Sequence, residues 1–367
     1  MSNTEQPTGE RVSERDLYDF TTAVLRATGL SMAAAEVTAR VLVASDVRGI
    51  ASHGVARLAY YVTMIETGAI DPRAEPVVVR ESATTAVLDA RNGMGHPVGV
   101  HAMTLAMDKA ARHDTGIVTV RQSNHYGIAG YYAMMALERD MIGLSLTNTH
   151  PVVAPTGGRR PTYGTNPIAI AVPTAGPTPF VLDMATSVVP RGRLEVAARR
   201  HVPLAAGWAL DARGRETTSP EEALAGALLP LGGLSITSGY KGYGLATAIE
   251  ILAAVLPGAL YGPLVGPMWA EGSPSNLGQF FMAINVAAFD DPAAFKERVR
   301  DLLQRLKASP RADDATEILV AGEKEQRATI AARAQGVPLD AAVVVDLTRI
   351  ADRCAVPLPA GLNGAAH

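Results

Sequence analysis

The segment from Ser52 to Arg57 places residue types that can hold and protonate an anionic substrate close together in the chain. If one helix runs through it, His53, Arg57 and Tyr61 lie on the same face, because residues four apart are neighbours on a helix. Arginine offers a two-pronged hydrogen-bond donor to a carboxylate, and histidine transfers protons near neutral pH. A structural role fits the same pattern: Ser52 would cap the helix, with His53 and Arg57 at the surface.

A second candidate segment, Ser123 to Gly130, lies between a predicted strand and a predicted helix. Small and polar residues before a helix leave backbone N–H groups free to bind a phosphate or a reacting oxygen. His125 is therefore a second candidate acid–base residue. An ordinary capped loop would have the same composition.

Three further segments carry isolated signals. Asp183 ends an apolar predicted strand, where a carboxylate either acts in chemistry or caps the next turn. Lys241 stands beside glycines at the start of an apolar helix, a place where lysine can contact a phosphate, although the glycine and the Ser or Thr of a P-loop are missing. The charged residues after Gly322 also suit an ordinary helix start.

The glycine turn around Gly93 and Gly95 does not complete a dinucleotide-binding fingerprint. The third glycine position is occupied by Val98, and the following strand ends in Arg121 and Gln122 rather than in an acidic residue. A tight turn before a helix explains this segment better than a doubly wound nucleotide fold does.

Bulk properties exclude several classes of protein. The 367 residues suffice for two domains, and a net charge of −3 argues against a nucleic-acid-binding protein. Cys354 is the only cysteine, which rules out an internal disulfide and a cysteine-based zinc site and favours the cytoplasm. The polar start and the lack of a long apolar run predict neither a signal peptide nor a membrane span. Histidine spacing predicts no metal site, and no serine hydrolase motif is present.

Hydrophobic periodicity predicts helices at both ends of the chain and an α/β middle. We place the boundaries near residues 75 and 288, so that 12–75 and 288–355 form one helical domain and 76–287 form an α/β domain. Residues 1–11 and 356–367 are expected to be flexible, and 190–218 to be irregular. One continuous helix is predicted from Gly54 to Glu66.

Several of these motifs, in this order, resemble the malate/L-lactate dehydrogenase family of the second type. That family is unrelated to the lactate and malate dehydrogenases that have a Rossmann fold. The resemblance spans roughly residues 14–335. The matching segments are SHGVAR at 52–57, SNHYG at 123–127, APTGG at 154–158, GTNPIA at 164–169, LDMATS at 182–187, GWALDARG at 207–214, KGYGL at 241–245 and NLGQFFMAI at 276–284.

The resemblance implies an NAD(P)-dependent oxidoreductase, with hydride transfer at C2 of a small 2-oxo or 2-hydroxy acid. It implies a non-Rossmann, mainly antiparallel sheet that binds NAD or NADP within 76–287, and a homodimer with its active site between domains. Reduction of a 2-imino acid such as Δ1-piperideine-2-carboxylate or Δ1-pyrroline-2-carboxylate is the alternative reaction. A non-catalytic nucleotide-binding protein is a third interpretation.

Residue roles also follow from the resemblance. Ser52, His53 and Asp183 correspond to the relay and proton donor of imine-reducing members, whereas other members assign the proton to the position of His125. Arg57 would hold the substrate carboxylate, and Tyr61 and Thr149 would line the substrate pocket. The cofactor would contact His125, Tyr126, Gly127, Ile128, Ala129, Asp183, Met184, Ala185, Lys241, Gly322, Glu323, Lys324 and Arg327.

Some positions depart from the family pattern and leave the substrate open. Ala321 stands where the family usually has proline, and Thr156 stands where tryptophan is common. Thr149 and His150 stand where many members have smaller residues. The choice between NAD and NADP is also open, since four cations are candidate partners of a 2′-phosphate: Arg159, Arg160, Lys324 and Arg327.

Overall fold

The computed structural model describes residues 10–268, 272–313 and 316–362. The helices are α1 Glu14–Ala27, α2 Met32–Val47, α3 Leu58–Glu66, α4 Gly95–His113, α5 Ala129–Met135, α6 Arg191–Arg200, α7 Pro220–Ala225, α8 Gly239–Glu250, α9 Pro292–Lys307, α10 Glu323–Gln335 and α11 Ala341–Cys354. The strands are β1 Glu10–Val12, β2 Val77–Glu81, β3 Thr85–Asp89, β4 Thr115–Ser123, β5 Met141–Thr147, β6 Ile168–Val172, β7 Phe180–Met184, β8 Ala209–Leu210, β9 Glu216–Thr217, β10 Ala227–Leu228, β11 Leu277–Asn285 and β12 Val337–Leu339.

Seven strands form one sheet in the order β2-β3-β4-β11-β5-β6-β7. The β3–β4 pair is parallel and is joined by α4, as a parallel connection requires. The other five pairings are antiparallel, and the late strand β11 fills the centre between β4 and β5. The predicted mixed α/β fold is confirmed.

Helices cover both faces of this sheet. Because successive strand residues point to opposite faces, Phe281 packs under α4 and α5, whereas Phe280 packs on the other side against Ile249 of α8. A smaller unit made of β8, β9, β10, α6 and α7 surrounds a separate core that contains Leu194 and Leu228. The sheet therefore forms the middle of three layers.

The two ends of the chain share one helical core. Leu17 of α1, Leu42 of α2, Leu58 of α3 and Leu347 of α11 are fully buried in a single cluster. Strand β1 pairs with β12, which ties the N-terminal segment to the C-terminal one. Segment 48–57, which links α2 to α3 within this core, contacts the sheet-containing half through Arg48 and His53.

Three details differ from expectation. Glu10 and Arg11 form a strand, and Leu362 packs on the helical core, so these parts of the expected flexible ends are ordered; residues 1–9 and 363–367 lie outside the described residues. Helix α9 buries none of its residues in the helical core; its Lys296 pairs with Asp140 of the sheet half at 2.9 Å, and its Lys307 pairs with Glu323 of α10. Helix α6 occupies part of the stretch that we expected to be irregular.

Within the described ranges, no helix has the length and apolar character needed to cross a membrane.

Candidate active site

The backbone from residue 51 to 57 forms two short 3-10 turns instead of the first turn of a helix. The carboxylate of Asp46, on α2, accepts a hydrogen bond from Val55 N at 2.7 Å. A Cβ on Gly54 would lie 1.9 Å from Asp46 Oδ1, so only glycine fits this position. The predicted helix from Gly54 is wrong in its first turn because this tertiary contact bends the chain, and the helix begins at Leu58.

This bend fixes the side chains of the first motif. Ser52 Oγ lies 2.9 Å from His53 Nδ1, and Arg57 Nε donates to the carbonyl of Ser52 at 2.8 Å. The ring of His53 stacks on that of His125, with centroids 5.6 Å apart and planes at 25°. The two candidate acid–base residues, far apart in sequence, thus share one pocket.

His125 is anchored from behind by Tyr61. The Tyr61 hydroxyl lies 2.6 Å from His125 Nδ1, and Gly127 N donates to the same nitrogen at 3.4 Å. Tyr61 is fully buried, in edge contact with the ring of His96 at 4.9 Å between centroids. The structure places Tyr61 behind a histidine, not on the pocket surface where we expected it.

Burial and positive charge keep both pocket histidines neutral. Burial lowers the pKa of His53 to about 4, and the nearby Arg57 guanidinium acts in the same direction. Burial also lowers the pKa of His125 well below its usual value, with contributions from His53 and Arg57. At pH 7 each ring therefore has one nitrogen that accepts hydrogen bonds and one that donates.

Asp183 is the next-to-last residue of β7 and accepts a hydrogen bond from Gly130 N at 2.8 Å, at the start of α5. Burial raises its pKa to about 6, although this hydrogen bond and the charge of Arg48 act in the opposite direction. Within the described part of the chain, Asp183 makes no hydrogen bond to Ser52 or His53. The relay of Ser52, His53 and Asp183 that the resemblance implies therefore stays a prediction.

Two of the segments expected to contact the cofactor meet at a cavity of about 120 Å³ that has both polar and apolar lining residues. Asp183 lies on one side and Gly322 on the other, with Arg48 and Glu325 completing the polar lining. The Nε atom of Arg48 is buried and has no hydrogen-bond partner among the described residues. The cavity lies between the end of α2, strand β7 and the start of α10.

Lys241 is exposed at the start of α8. A Cβ on the adjacent Gly242 would lie 2.1 Å from the Leu231 carbonyl, and Leu231 N donates to the carbonyl of Thr186 at 2.8 Å. This packing places Lys241 in the neighbourhood of the segment that follows Asp183.

The other predicted cofactor residues are more dispersed. Arg327 pairs with Glu317, and Glu323 pairs with Lys307. The remaining ones are exposed Lys324, half-buried Met184 and Ala185, and buried Tyr126, Ile128 and Ala129.

The hydroxyl of Thr149 forms a hydrogen bond within the protein. It accepts a hydrogen bond from Thr165 N at 2.9 Å, which holds the loop before β6. The neighbouring His150 is buried and close enough to His125 to lower its pKa. The substrate contact of Thr149 therefore stays a prediction.

Sequence reasoning missed Asp46, Arg48, His96, Gly130 and Glu325. Asp46 carried a signal, since it is an acidic residue within the apolar run of α2. Gly130 carried another, since a glycine at a helix start permits close approach, and here a Cβ would lie only 2.7 Å from Asp183 Oδ2. The others contact the site only through the tertiary fold.

The described residues contain no cluster of three or more metal-ligating side chains.

Comparison with known proteins gives the same family. The family model described as malate/L-lactate dehydrogenase matches residues 12–348. Malate dehydrogenase of Pyrococcus abyssi is 43% identical, over 94% of this chain and 95% of that protein. L-sulfolactate dehydrogenase of Methanocaldococcus jannaschii is 42% identical, over 83% of this chain and 86% of that protein.

A solved malate dehydrogenase structure from Entamoeba histolytica superposes with a TM-score of 0.92 at 34% identity, covering 96% of this chain and 100% of that one. More distant relatives have names that state a cofactor: a (2R)-3-sulfolactate dehydrogenase (NADP⁺) from Chromohalobacter salexigens, 33% identical, and a ureidoglycolate dehydrogenase (NAD⁺) from Escherichia coli, 30% identical. The resemblance found in the motifs is confirmed: the chain is an oxidoreductase that belongs to the malate/L-lactate dehydrogenase family.

Proposed function

We propose that the protein interconverts a small 2-hydroxy acid and its 2-oxo acid with NAD or NADP. The observation that carries this proposal is the pocket in which two stacked neutral histidines, His53 and His125, lie beside the guanidinium of Arg57. A 2-hydroxy carboxylate needs these partners: a cation for its carboxylate and uncharged acid–base groups for its hydroxyl.

The described residues fit a nicotinamide cofactor. Asp183 and the unpartnered Arg48 Nε offer a hydrogen-bond acceptor and a donor at the cavity beside Gly322, which suits a group with both donors and acceptors. Gly130 has no room for a side chain where it meets Asp183. We assign this cavity and Lys241 to the cofactor, with the seven-stranded, mainly antiparallel sheet, rather than a Rossmann sheet, as the support.

The residues of the chain have separate tasks in the proposed reaction. Arg57 binds the substrate carboxylate and orients C2, while the fixed turn at Gly54 keeps His53 beside the reacting oxygen. A bound nicotinamide supplies the hydride to C2, or accepts it from there. Neutral His53 takes the hydroxyl proton during oxidation, and the protonated ring returns it during reduction. Ser52 holds the other nitrogen of that ring.

Reduction of a cyclic 2-imino acid is the second candidate. It is favoured by the likeness to a solved Δ1-piperideine-2-carboxylate reductase from Pseudomonas syringae, with a TM-score of 0.82 and 29% identity over 93% of this chain and 99% of that one. During this reduction the imine nitrogen would accept the proton from His53, in the place that the substrate oxygen takes in the first reaction. The dehydrogenase relatives are more similar in sequence, so we place the hydroxy acid first.

We also propose a homodimer. The π-helical turn that follows α8 and the residue after it expose a row of apolar side chains, namely Ile251, Leu252, Val255 and Leu256. Contiguous exposed apolar patches typically mark an interface. A second copy of the chain is the occupant we propose, with the cytoplasm as the expected compartment.

A substrate panel tests the proposed activity. The purified protein is assayed by nicotinamide absorbance with NAD⁺ and NADP⁺ on malate, sulfolactate, lactate and ureidoglycolate, and with both reduced cofactors on the matching oxo acids and on cyclic imines. We expect turnover of at least one 2-hydroxy acid. Turnover of cyclic imines alone would favour the second candidate. Tight cofactor binding without any turnover would favour the non-catalytic interpretation.

A further inference from the structure

The Nδ1 atom of His125 receives two hydrogen-bond donors. Gly127 N lies 3.4 Å from it, and a backbone N–H can only donate. Nδ1 must therefore present its lone pair, and it carries no proton in the neutral ring. The Tyr61 hydroxyl, 2.6 Å from the same atom, must then be a donor as well.

We propose that Tyr61 is a positioning residue that, with Gly127 N, fixes His125 as the tautomer that carries its proton on Nε2. The catalytic consequence rests on the proposed function above. Half-buried His125 makes no hydrogen bond through Nε2 within the described residues, so its N–H is available to the pocket. His125 then donates a hydrogen bond to the substrate oxygen.

The surroundings of Tyr61 hold its hydroxyl in place. The ring is fully buried and lies in edge contact with His96 at 4.9 Å and Tyr60 at 5.2 Å between centroids. Burial raises the pKa of Tyr61 well above its usual value, so the phenol keeps the proton that it donates. Because Tyr61 is on α3 and His125 follows β4, this bond also joins the helical core to the sheet.

This arrangement divides the work between the two histidines. If His125 gave up its Nε2 proton, Nδ1 would need a proton from Tyr61, and a buried tyrosinate would remain. That outcome is unfavourable where burial disfavours the charged form. His125 therefore stabilises negative charge on the substrate oxygen by donating a hydrogen bond. His53 is then the histidine that transfers the proton.

Nitrogen-15 NMR of the resting enzyme tests the tautomer without any substrate. The ring signals of His125 are assigned by their loss in a His125→Gln variant. We expect the proton on Nε2 in the unmodified protein, and a shift toward Nδ1 protonation in Tyr61→Phe. A proton on Nδ1 in the unmodified protein would overturn the proposed tautomer. An unchanged tautomer ratio in Tyr61→Phe would show that Gly127 N fixes the ring by itself, and would reject Tyr61 as the positioning residue.

Kinetics on an accepted substrate supply the second measurement. Tyr61→Phe should lower kcat by roughly tenfold, the usual size of one hydrogen bond, and change KM less. Tyr163→Phe, which removes another buried hydroxyl bonded to a backbone carbonyl, is the matched control and should leave kcat unchanged. Equal kcat for Tyr61→Phe and the unmodified enzyme would contradict the positioning role. Absence of turnover on the whole panel would instead reject the proposed function, and the NMR result would still decide the tautomer.

Discussion

At the residue scale, the pocket combines a fixed positive charge with two rings that burial keeps neutral. Arg57 is held by its contact with the carbonyl of Ser52, and its charge contributes to the low pKa of both His53 and His125. The same charge that binds a carboxylate therefore helps to keep both histidines unprotonated before the substrate binds. Once the carboxylate is bound, this repulsion is partly neutralised.

Replacing Arg57 with alanine should mainly raise KM. Charge-assisted hydrogen bonds contribute about 1.5–3 kcal/mol, so KM for the carboxylate substrate should rise roughly tenfold to a hundredfold. Steady-state kinetics on the best substrate measure the change. Arg305→Ala, an exposed arginine on α9, is the control. An unchanged KM in Arg57→Ala would remove the carboxylate-binding role.

The pKa of His53 determines the acid limb of the pH–rate profile for oxidation. Since it is lowered to about 4, the ring is an effective base above that pH and loses this role as the pH falls through it. We expect kcat/KM for oxidation to fall below pH values near that pKa. Asp183, with a pKa of about 6, also titrates nearby, so the profile is measured in Asp183→Asn as well. A limb near a pH of about 6.5 that persists in Asp183→Asn would contradict a neutral, buried His53.

At the element scale, the turn between α2 and α3 determines where the reactive side chains point. It is built from one buried carboxylate on α2, Asp46, and one glycine that the carboxylate nearly touches, Gly54. Burial raises the pKa of Asp46 to about 8. A group whose pKa is raised in the folded state contributes its full stabilisation below its unfolded pKa, here 3.8, and loses that contribution as the pH rises through about 8.

Gly54→Ala should therefore disable catalysis without unfolding the protein. The new Cβ would overlap Asp46, and a displacement of about 1 Å at a catalytic group commonly costs on the order of a hundredfold in rate. The measurements are kcat and the thermal unfolding midpoint. Gly192→Ala, where nothing lies within 4 Å of the new methyl group, is the matched control. A fully active Gly54→Ala would show that the turn does not position His53.

Elements with regular periodicity and clear caps could be predicted from sequence, and tertiary contacts could not. Ser13 caps α1 and Ser219 caps α7, each by accepting a backbone N–H three residues on, as the residue pattern indicates. Helix α6 gives too weak a periodic signal to predict, because only Leu194 and Ala197 are buried. The Tyr61–His125 hydrogen bond joins residues 64 positions apart, and no local pattern encodes it.

At the scale of the whole molecule, the site depends on contact between two halves of the chain. The helical core from both ends supplies His53, Arg57 and Tyr61, and the sheet half supplies His125 and Asp183. Family motifs identified most of these residues because each motif is short and local. The contacts between residues of the two halves could be found only from the fold, which places β11 at the centre of the sheet and α2 beside α4.

The exposed apolar row at the π-helical turn after α8 predicts the state of assembly. Leu256 is 60% exposed, and replacing it with glutamate should place a charge in the proposed interface. We expect a dimeric mass for the unmodified protein in light scattering after size exclusion, and a monomeric one for Leu256→Glu. Val202→Glu, at another exposed apolar residue, should stay dimeric. A monomeric unmodified protein would contradict the prediction.

The most direct test of the proposed hydride transfer follows a deuterium label. The purified enzyme is given an accepted 2-hydroxy acid that carries deuterium on C2, and the mass of the reduced nicotinamide is measured together with the rate. We expect the deuterium to appear at C4 of the nicotinamide, and His53→Ala to lower the rate by about 10²–10⁴ without moving the label elsewhere. Reduced cofactor without deuterium, or full activity in His53→Ala, would contradict the proposed mechanism.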